Sequence, residues 1–415
     1  MKYRHKIDVI RCHSFQELQR SLPEIMATWQ DQLPASPNAR ILLKPNLNSN
    51  MNALTGNTTD LRLMAALILF LKESGYTDIT IGEGTNSGFY RNNISVIARL
   101  GVDRLATYYG VNCIDFNQSE PVEIDFEDGV KAGVARECLE ADFFINMPKL
   151  KTHFEAGMSV CLKNLIGCLV GQANKKKTHL SLAANILNIT KSINPHLHIV
   201  DAMFAMEGLG PTRGTPVRAN RVFIGNDPYC LDLLAARFVH FDYRKVTTLA
   251  LAETQGLLTC DHHEFVATIP LERHDSPFAP PKAGPIATFI HSPKRQKYFL
   301  AIRNTPFFNF LCNTDFFGRL LFLTGLRQDV FLSQEMDCQG LSVDRQRCTN
   351  CGKCTGYCPV GLELPAALEG QGSDACISCL YCFCICPEHA IIYSGTLGFM
   401  DEQLRQYDEI IRGIA

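Results

Sequence analysis

The sequence predicts an α/β protein: an open, mostly parallel sheet domain with a hairpin insertion, followed by a small α+β domain. Three observations predict it. Short apolar, β-branched runs alternate with helical periodicities through residues 1–290. One stretch, 121–136, breaks that alternation and reads as two strands joined by an Asp-Gly turn. Two near-identical cysteine runs lie between Cys348 and Cys386.

In chain order, strands are expected at 41–44 (ILLK), 78–82 (DITIG), 111–116 (VNCIDF), 143–147 (FFINM), 197–201 (LHIVD) and 221–225 (RVFIG), each bounded by turn residues. The clearest helix is 60–74, with Asp60 as N-cap and Gly75 as its stop. Further helices are expected at 92–100, 179–193, 228–240 and 246–257, the second of them capped by Thr178. The stretch 291–340 is aromatic-rich, with Phe307, Phe308, Phe310, Phe316 and Phe317. Arg303, Asn309, Asn313, Asp315 and Arg319 interrupt it, which argues against a transmembrane helix. A helical bridge between domains is the favoured reading, and contact with a membrane surface the less favoured one. Residues 341–394 hold the cysteine runs, and 395–415 read as a helical tail packed on them.

The cysteine runs carry the most specific chemistry. They read Cys348-x2-Cys351-x2-Cys354-x3-Cys358-Pro359 and Cys376-x2-Cys379-x2-Cys382-x3-Cys386-Pro387. Three closely spaced thiolates can hold three iron corners of one cubane, while the fourth, before proline, reaches the other cubane. Cys348, Cys351, Cys354 and Cys386 are therefore expected on one 4Fe–4S cluster, and Cys358, Cys376, Cys379 and Cys382 on the second. Zinc rarely needs eight thiolates in two such compact runs, and a disulfide framework suits a short secreted chain. The segment resembles a two-cluster bacterial ferredoxin, which makes the small domain ferredoxin-like. Cys384, between two ligands, reads as a buried thiol beside the cluster.

The chain has 415 residues, 46% hydrophobic and 20% charged, with net charge −2. That is ordinary for a globular protein and gives no reason to expect nucleic acid as a partner. No apolar stretch follows the basic N-terminus, so no secretory signal is expected. Ten of the 18 cysteines remain unassigned and scattered, which with oxygen-sensitive clusters suggests a reducing cytoplasm. Cys161 and Cys168, seven apart, read as small buried hydrophobes on one helical face.

Polar residues gather after successive expected strands: Lys44-Pro45-Asn46; Glu83-Gly84; Asn146, Lys149, Lys151 and His153; Asp201 and Glu207-Gly208-Leu209-Gly210; and Asn226-Asp227. Open α/β sheets bind ligands beyond the carboxyl ends of their strands, so these turns are expected to form one site there. Lys149, Lys151, His153 and Lys163-Asn164 supply cations and donors suited to a carboxylate, phosphate or enolate. Glycines 82, 84, 208 and 210 would let a ligand approach the backbone. Lys175-Lys176-Lys177 reads as a solvated basic loop in preference to an anion site. No GxGxxG follows the first strand, so a nicotinamide dinucleotide is not expected. A flavin or deazaflavin has no supporting motif either.

Residues 40–240 resemble the prokaryotic family called domain of unknown function 362, often fused to a ferredoxin domain. The resemblance is carried by Lys44-Pro45-Asn46, Gly82-Glu83-Gly84, Asn146 through His153, Leu162 through Gly167, Asp201, Met206 through Pro211, Gly214 and Asp227-Pro228. Cys230 and Leu231, after Asp227-Pro228, depart from it, since small apolar residues usually precede the next Asp, here Asp232. The resemblance implies an iron–sulfur protein of redox role and supplies no substrate. The favoured function is an iron–sulfur oxidoreductase that passes low-potential electrons to an anionic or carbonyl/conjugated small molecule, fed by a redox partner protein. In that reading His153, Glu207, Lys149 and Lys151 are catalytic, with His153 or Glu207 the proton donor, and Lys44, Asn46, Glu83, Lys163, Asn164 and Asp201 bind substrate. A non-catalytic electron-transfer protein and a metal- or cluster-assembly factor are the alternatives.

Overall fold

The computed structural model describes residues 5–86, 93–281, 336–369 and 375–413, together with positions 305, 314 and 316. Most of the aromatic stretch 291–340 lies outside the described residues.

The large sheet contains β1 (Ile7–Arg11), β2 (Ile41–Lys44), β3 (Ile79–Glu83), β4 (Asn112–Asp115), β7 (Phe143–Asn146), β10 (Leu197–Glu207) and β11 (Thr215–Gly225). Their order is β1-β11-β10-β7-β2-β3-β4. From β10 to β4 every neighbouring pair is parallel. The run ILLK is buried at every position, as expected of a strand covered on both faces. The insertion is the antiparallel pair β5 (Pro121–Asp125) and β6 (Lys131–Ala135). Asp128 and Gly129 adopt the left-handed conformation in its turn, which an Asp-Gly pair tolerates.

Three expectations need correction. Strand β1 was not anticipated; it adds antiparallel to β11 at the sheet edge. β10 and β11 are each 11 residues long and form one antiparallel pair, with His198 opposite Gly225 and Glu207 opposite Thr215. The Asn226-Asp227 turn therefore lies at the edge where β10 begins, opposite the edge carrying Glu207. An antiparallel last strand reverses the edge at which its following turn emerges. Finally, Thr178 ends the helix Gly171–Thr178 and does not cap the next one, Leu182–Ile193. Strands β8 (Lys149–His153) and β9 (Gly157–Ser159) continue the sheet as a flap, β8 pairing parallel with the far half of β10.

The helix Leu61–Glu73 begins as expected, with Asp60 accepting from the Arg62 backbone N–H. Ten of its 13 residues are buried, because it is covered on two sides. It packs in the cluster that also holds Cys358, Val360, Ile377, Tyr381 and Leu397 of the small domain. The small domain is closed by β12 (Asp337–Val343) and β13 (Ile391–Thr396), an antiparallel pair. β12 begins inside the stretch expected to be linker. The tail forms two short helices, Phe399–Gln406 and Asp408–Arg412. They touch both domains: Arg412 donates to the carbonyl of Phe383, 3.2 Å, and Arg218 of β11 donates to the carbonyl of Ile411, 2.7 Å.

Candidate functional site

The eight motif cysteines form two cavities. One is lined by Cys348, Cys351, Cys354 and Cys386. The other is lined by Cys358, Cys376, Cys379 and Cys382. Each takes three thiols from one run and the fourth from the other, the exchange that two-cubane spacing requires. The donor set fits iron–sulfur ligation: the thiols are free, and two sulfurs already accept backbone N–H, Cys358 from Leu362 at 3.4 Å and Cys386 from Ala390 at 3.2 Å. Such bonds tune cluster potential. Cys384 is fully buried, lies outside both linings, and accepts from the Asn52 amide at 3.2 Å.

The two cavities differ in surroundings. Cys351 is exposed, whereas Cys379 and Cys382 are buried. The second cavity is the one docked on the sheet domain. The Tyr381 hydroxyl accepts from the Leu61 backbone N–H at 3.0 Å, and Tyr108 and Tyr109 donate to the carbonyls of Val360 and Pro359. Gly101 is required here, since a Cβ would lie 2.2 Å from the Ile377 carbonyl oxygen.

A polar chain runs from this interface into the sheet. The Arg62 guanidinium lies over the Tyr357 ring, 4.1 Å from its centroid, and 5.8 Å from that of Tyr381. It holds Asp60 by two bonds, 3.0 and 2.7 Å. Burial would raise the Asp60 carboxyl, but the Arg62 charge outweighs it and the group sits below the usual range. The Asp60 N–H donates to Asp201 at 2.7 Å, and Asp201 also accepts from Lys149 at 2.8 Å. Burial pushes Asp201 up, against the pull of Lys149.

At the carboxyl edge, Lys44 ion-pairs with Glu83 at 2.7 Å and donates to the Pro45 carbonyl at 2.9 Å. Lys151 donates to Asn46, Asn48 and the Asn57 carbonyl, at 2.8, 2.5 and 2.7 Å. Asn46 donates to Asn164, which donates to Asn146, both at 2.8 Å. The structure therefore brings Lys44, Asn46, Glu83, Lys149, Lys151, Asn164 and Asp201 together, all buried. Their polar atoms bond one another across the strand ends. The nearby glycines serve the same packing: a Cβ at Gly84 would meet the Gly167 carbonyl at 2.3 Å, one at Gly82 the Phe116 ring at 2.4 Å, and one at Gly210 the Thr152 carbonyl at 2.0 Å. These glycines admit the protein's own chain, where approach of a ligand was expected; Gly208 is left-handed and open.

His153 and Lys163 stand apart. The His153 Nδ1 accepts from the backbone N–H of Glu155 and Ala156, at 3.1 and 3.3 Å, which puts the ring proton on Nε2. Burial, with the Lys163 charge, holds its pKa well below the usual histidine range. Lys163 is half-buried, and its amine has no hydrogen-bond partner among the described residues. Burial lowers it to about 8, with Glu155 opposing. Glu155 itself pairs with His179 at 3.2 Å. Glu207, half-buried at the end of β10, accepts from the Ala279 N–H at 2.7 Å.

Several participants were not anticipated. Arg62, Tyr357 and Tyr381 carry the contact between domains. Lys175 is no solvated lysine: its amine donates to the carbonyls of Gly84 and Thr85 and to Asn117, at 2.7, 2.8 and 2.9 Å, and burial lowers it to about 8. Cys161 and Cys168 are buried as expected but lie on two different short helices. The alternation Asn46, Asn48, Asn50, Asn52 was a legible signal for the asparagine layer.

The fold and the two cavities define an α/β domain joined to a dicluster iron–sulfur domain. Residues 41–237 match the family described as domain of unknown function (DUF362), and residues 340–387 match the 4Fe–4S dicluster domain; the chain carries both, as a fusion. It is 28% identical over 237 residues to the thylakoid-associated protein sll1697 of Synechocystis, covering 53% of this chain and 69% of that one. It also resembles the lactate racemase apoprotein of Thermoanaerobacterium thermosaccharolyticum, at 14% identity and a TM-score of 0.38; the match spans 56% of either chain, so just over half of the racemase's length. Among the described residues no helix is long and apolar enough to cross a membrane.

Proposed function

We propose that the protein is an iron–sulfur oxidoreductase that reduces an anionic small molecule bearing a carbonyl or conjugated double bond, beside His153 and Lys163. The observation that carries this reading is the continuous buried chain from the second cysteine cavity through Tyr381, Arg62 and Asp60 to Asp201 and Lys149, which ends on β8, the strand whose far end carries His153. A mere carrier has no need to seat one cluster against a charged network at the strand ends.

The clusters, when bound, would supply electrons one at a time, delivered by a redox partner protein. Reduction of a carbonyl to an alcohol takes two electrons and two protons. Lys163 is the group suited to hold the substrate's negative charge and to give a proton, since an amine near pKa 8 is protonated at neutral pH and matched to it. His153 stays neutral and offers its Nε2–H as a hydrogen bond to the growing oxyanion. The second proton comes from water. Lys44, Lys149 and Lys151 act by fixing the loops, because their bonds are already made inside the protein.

The test uses anaerobically purified protein with its clusters reduced by dithionite, then freed of dithionite. A cell extract is split by ultrafiltration into small-molecule and macromolecular fractions. Reoxidation of the clusters by the small-molecule fraction, lost in Lys163→Met with iron content unchanged, is the expected result. Reoxidation by the macromolecular fraction alone would establish the electron-carrier reading in its place.

A further inference from the structure

At the opposite edge of the sheet, four side chains from separate parts of the chain converge: His5 before β1, Asp227 and Cys230 at the start of the helix Pro228–Phe238, and His262 in the helix Cys260–Thr268. One potential donor atom from each lies within 4.8 Å of every other. We propose that these four residues bind one zinc-class divalent ion, separate from the iron–sulfur clusters.

The donor chemistry is the argument. Two imidazoles, a thiol and a carboxylate are a zinc set, and four protein ligands make a closed structural site. The carboxylate is already divided between two tasks. Asp227 Oδ1 accepts from the Cys230 N–H at 2.9 Å, capping the helix, while Oδ2 faces His5 Nδ1 at 3.2 Å and His262 Nε2 at 3.7 Å. Ligands about 2.0–2.3 Å from a tetrahedral zinc lie roughly 3.3–3.8 Å apart, so these contacts sit at or near bonded spacing. The Thr259 N–H donates to His262 Nδ1 at 3.1 Å, which places the ring proton on Nε2, toward Asp227. An ion at Nε2 takes that proton's place and requires it on Nδ1 instead, where the Thr259 hydroxyl, 2.8 Å away, can accept it. The His5 and His262 rings lie 4.6 Å apart between centroids, tilted by 36°. The side chains of His5, Asp227 and His262 keep 18, 18 and 12% exposure, which leaves a path for the ion.

A bound ion would tie the chain before β1 to both helices.

The test is zinc content and zinc-edge X-ray absorption on the cluster-loaded protein, after equilibration with equimolar zinc and gel filtration. The expected result is about one zinc per chain, with one sulfur near 2.3 Å and three nitrogen or oxygen ligands. His5→Gln and His262→Gln should each weaken retention at least tenfold without changing iron content; His5, at the start of the chain and partly exposed, is the variant least able to disturb folding. No retained zinc, zinc bound by four sulfurs, or zinc held equally by both variants would overturn the proposal.

Discussion

Arg62→Met is the substitution whose consequence the structure fixes most tightly. Arg62 and Asp60 are 3% and 0% exposed and share two hydrogen bonds. Methionine keeps most of the volume and the contact with Tyr357, but leaves the Asp60 carboxylate buried and unpaired, with Asp201 beside it. Breaking a buried pair from one side costs about 3–5 kcal/mol. With a urea m-value of about 3 kcal/mol/M or more for a chain this size, the midpoint falls by roughly 1 M. Asp60→Asn added to Arg62→Met removes the stranded charge and keeps a capping side chain, so it should restore at least half of the loss. Urea unfolding of the anaerobic protein, followed by circular dichroism and by cluster absorbance, measures both. The cluster signal should be lost first in Arg62→Met, since Arg62 joins the domains. A midpoint within about 0.2 M of wild type, or a double variant no better than the single, would refute the argument that charge pairing holds this interface.

Four further outcomes follow from the same geometry. Lys44→Met strands Glu83 and should destabilise by about 3–5 kcal/mol, relieved in part by Glu83→Gln, as read by urea midpoints. Gly167→Ala places a Cβ 2.0 Å from Glu83 Oε1 and should cost about 1–3 kcal/mol, visible as a lower melting temperature. Iron analysis after reconstitution should give about eight irons per wild-type chain and about four in Cys376→Ser. Lys163 titrates near 8: its amine is charged below that pH and neutral above it, so reoxidation of the reduced clusters by the small-molecule fraction should fall as pH rises through about 8. That inflection should be absent from Lys163→Met.

Some of this protein could be read from residue order alone. The iron–sulfur pairing is local chemistry: the x2, x2, x3 spacing and the following proline confine where each thiol can reach, so the exchange of Cys358 and Cys386 needed no tertiary information. Strands such as ILLK and the helix beginning at Asp60 were legible because burial on both faces and a side-chain cap write themselves into a few adjacent residues. The edge at which a turn emerges depends on strand direction, and direction is set by pairing partners far apart in sequence. Asn226-Asp227 therefore looked equivalent to the other turns until β11 proved antiparallel to β10. The same holds for charge. Lys44, Lys149 and Lys151 read as groups for an anionic substrate, and only the fold set Glu83, Asp201 and the Asn46 amide directly against them. Lys175 read as solvated, and the fold closed Gly84, Thr85 and Asn117 around it. Composition reveals which charges a chain carries; which of them remain unpaired is settled by contacts between residues 39 to 105 apart in the chain, and here that process leaves Lys163 without a hydrogen-bonded partner among the described residues.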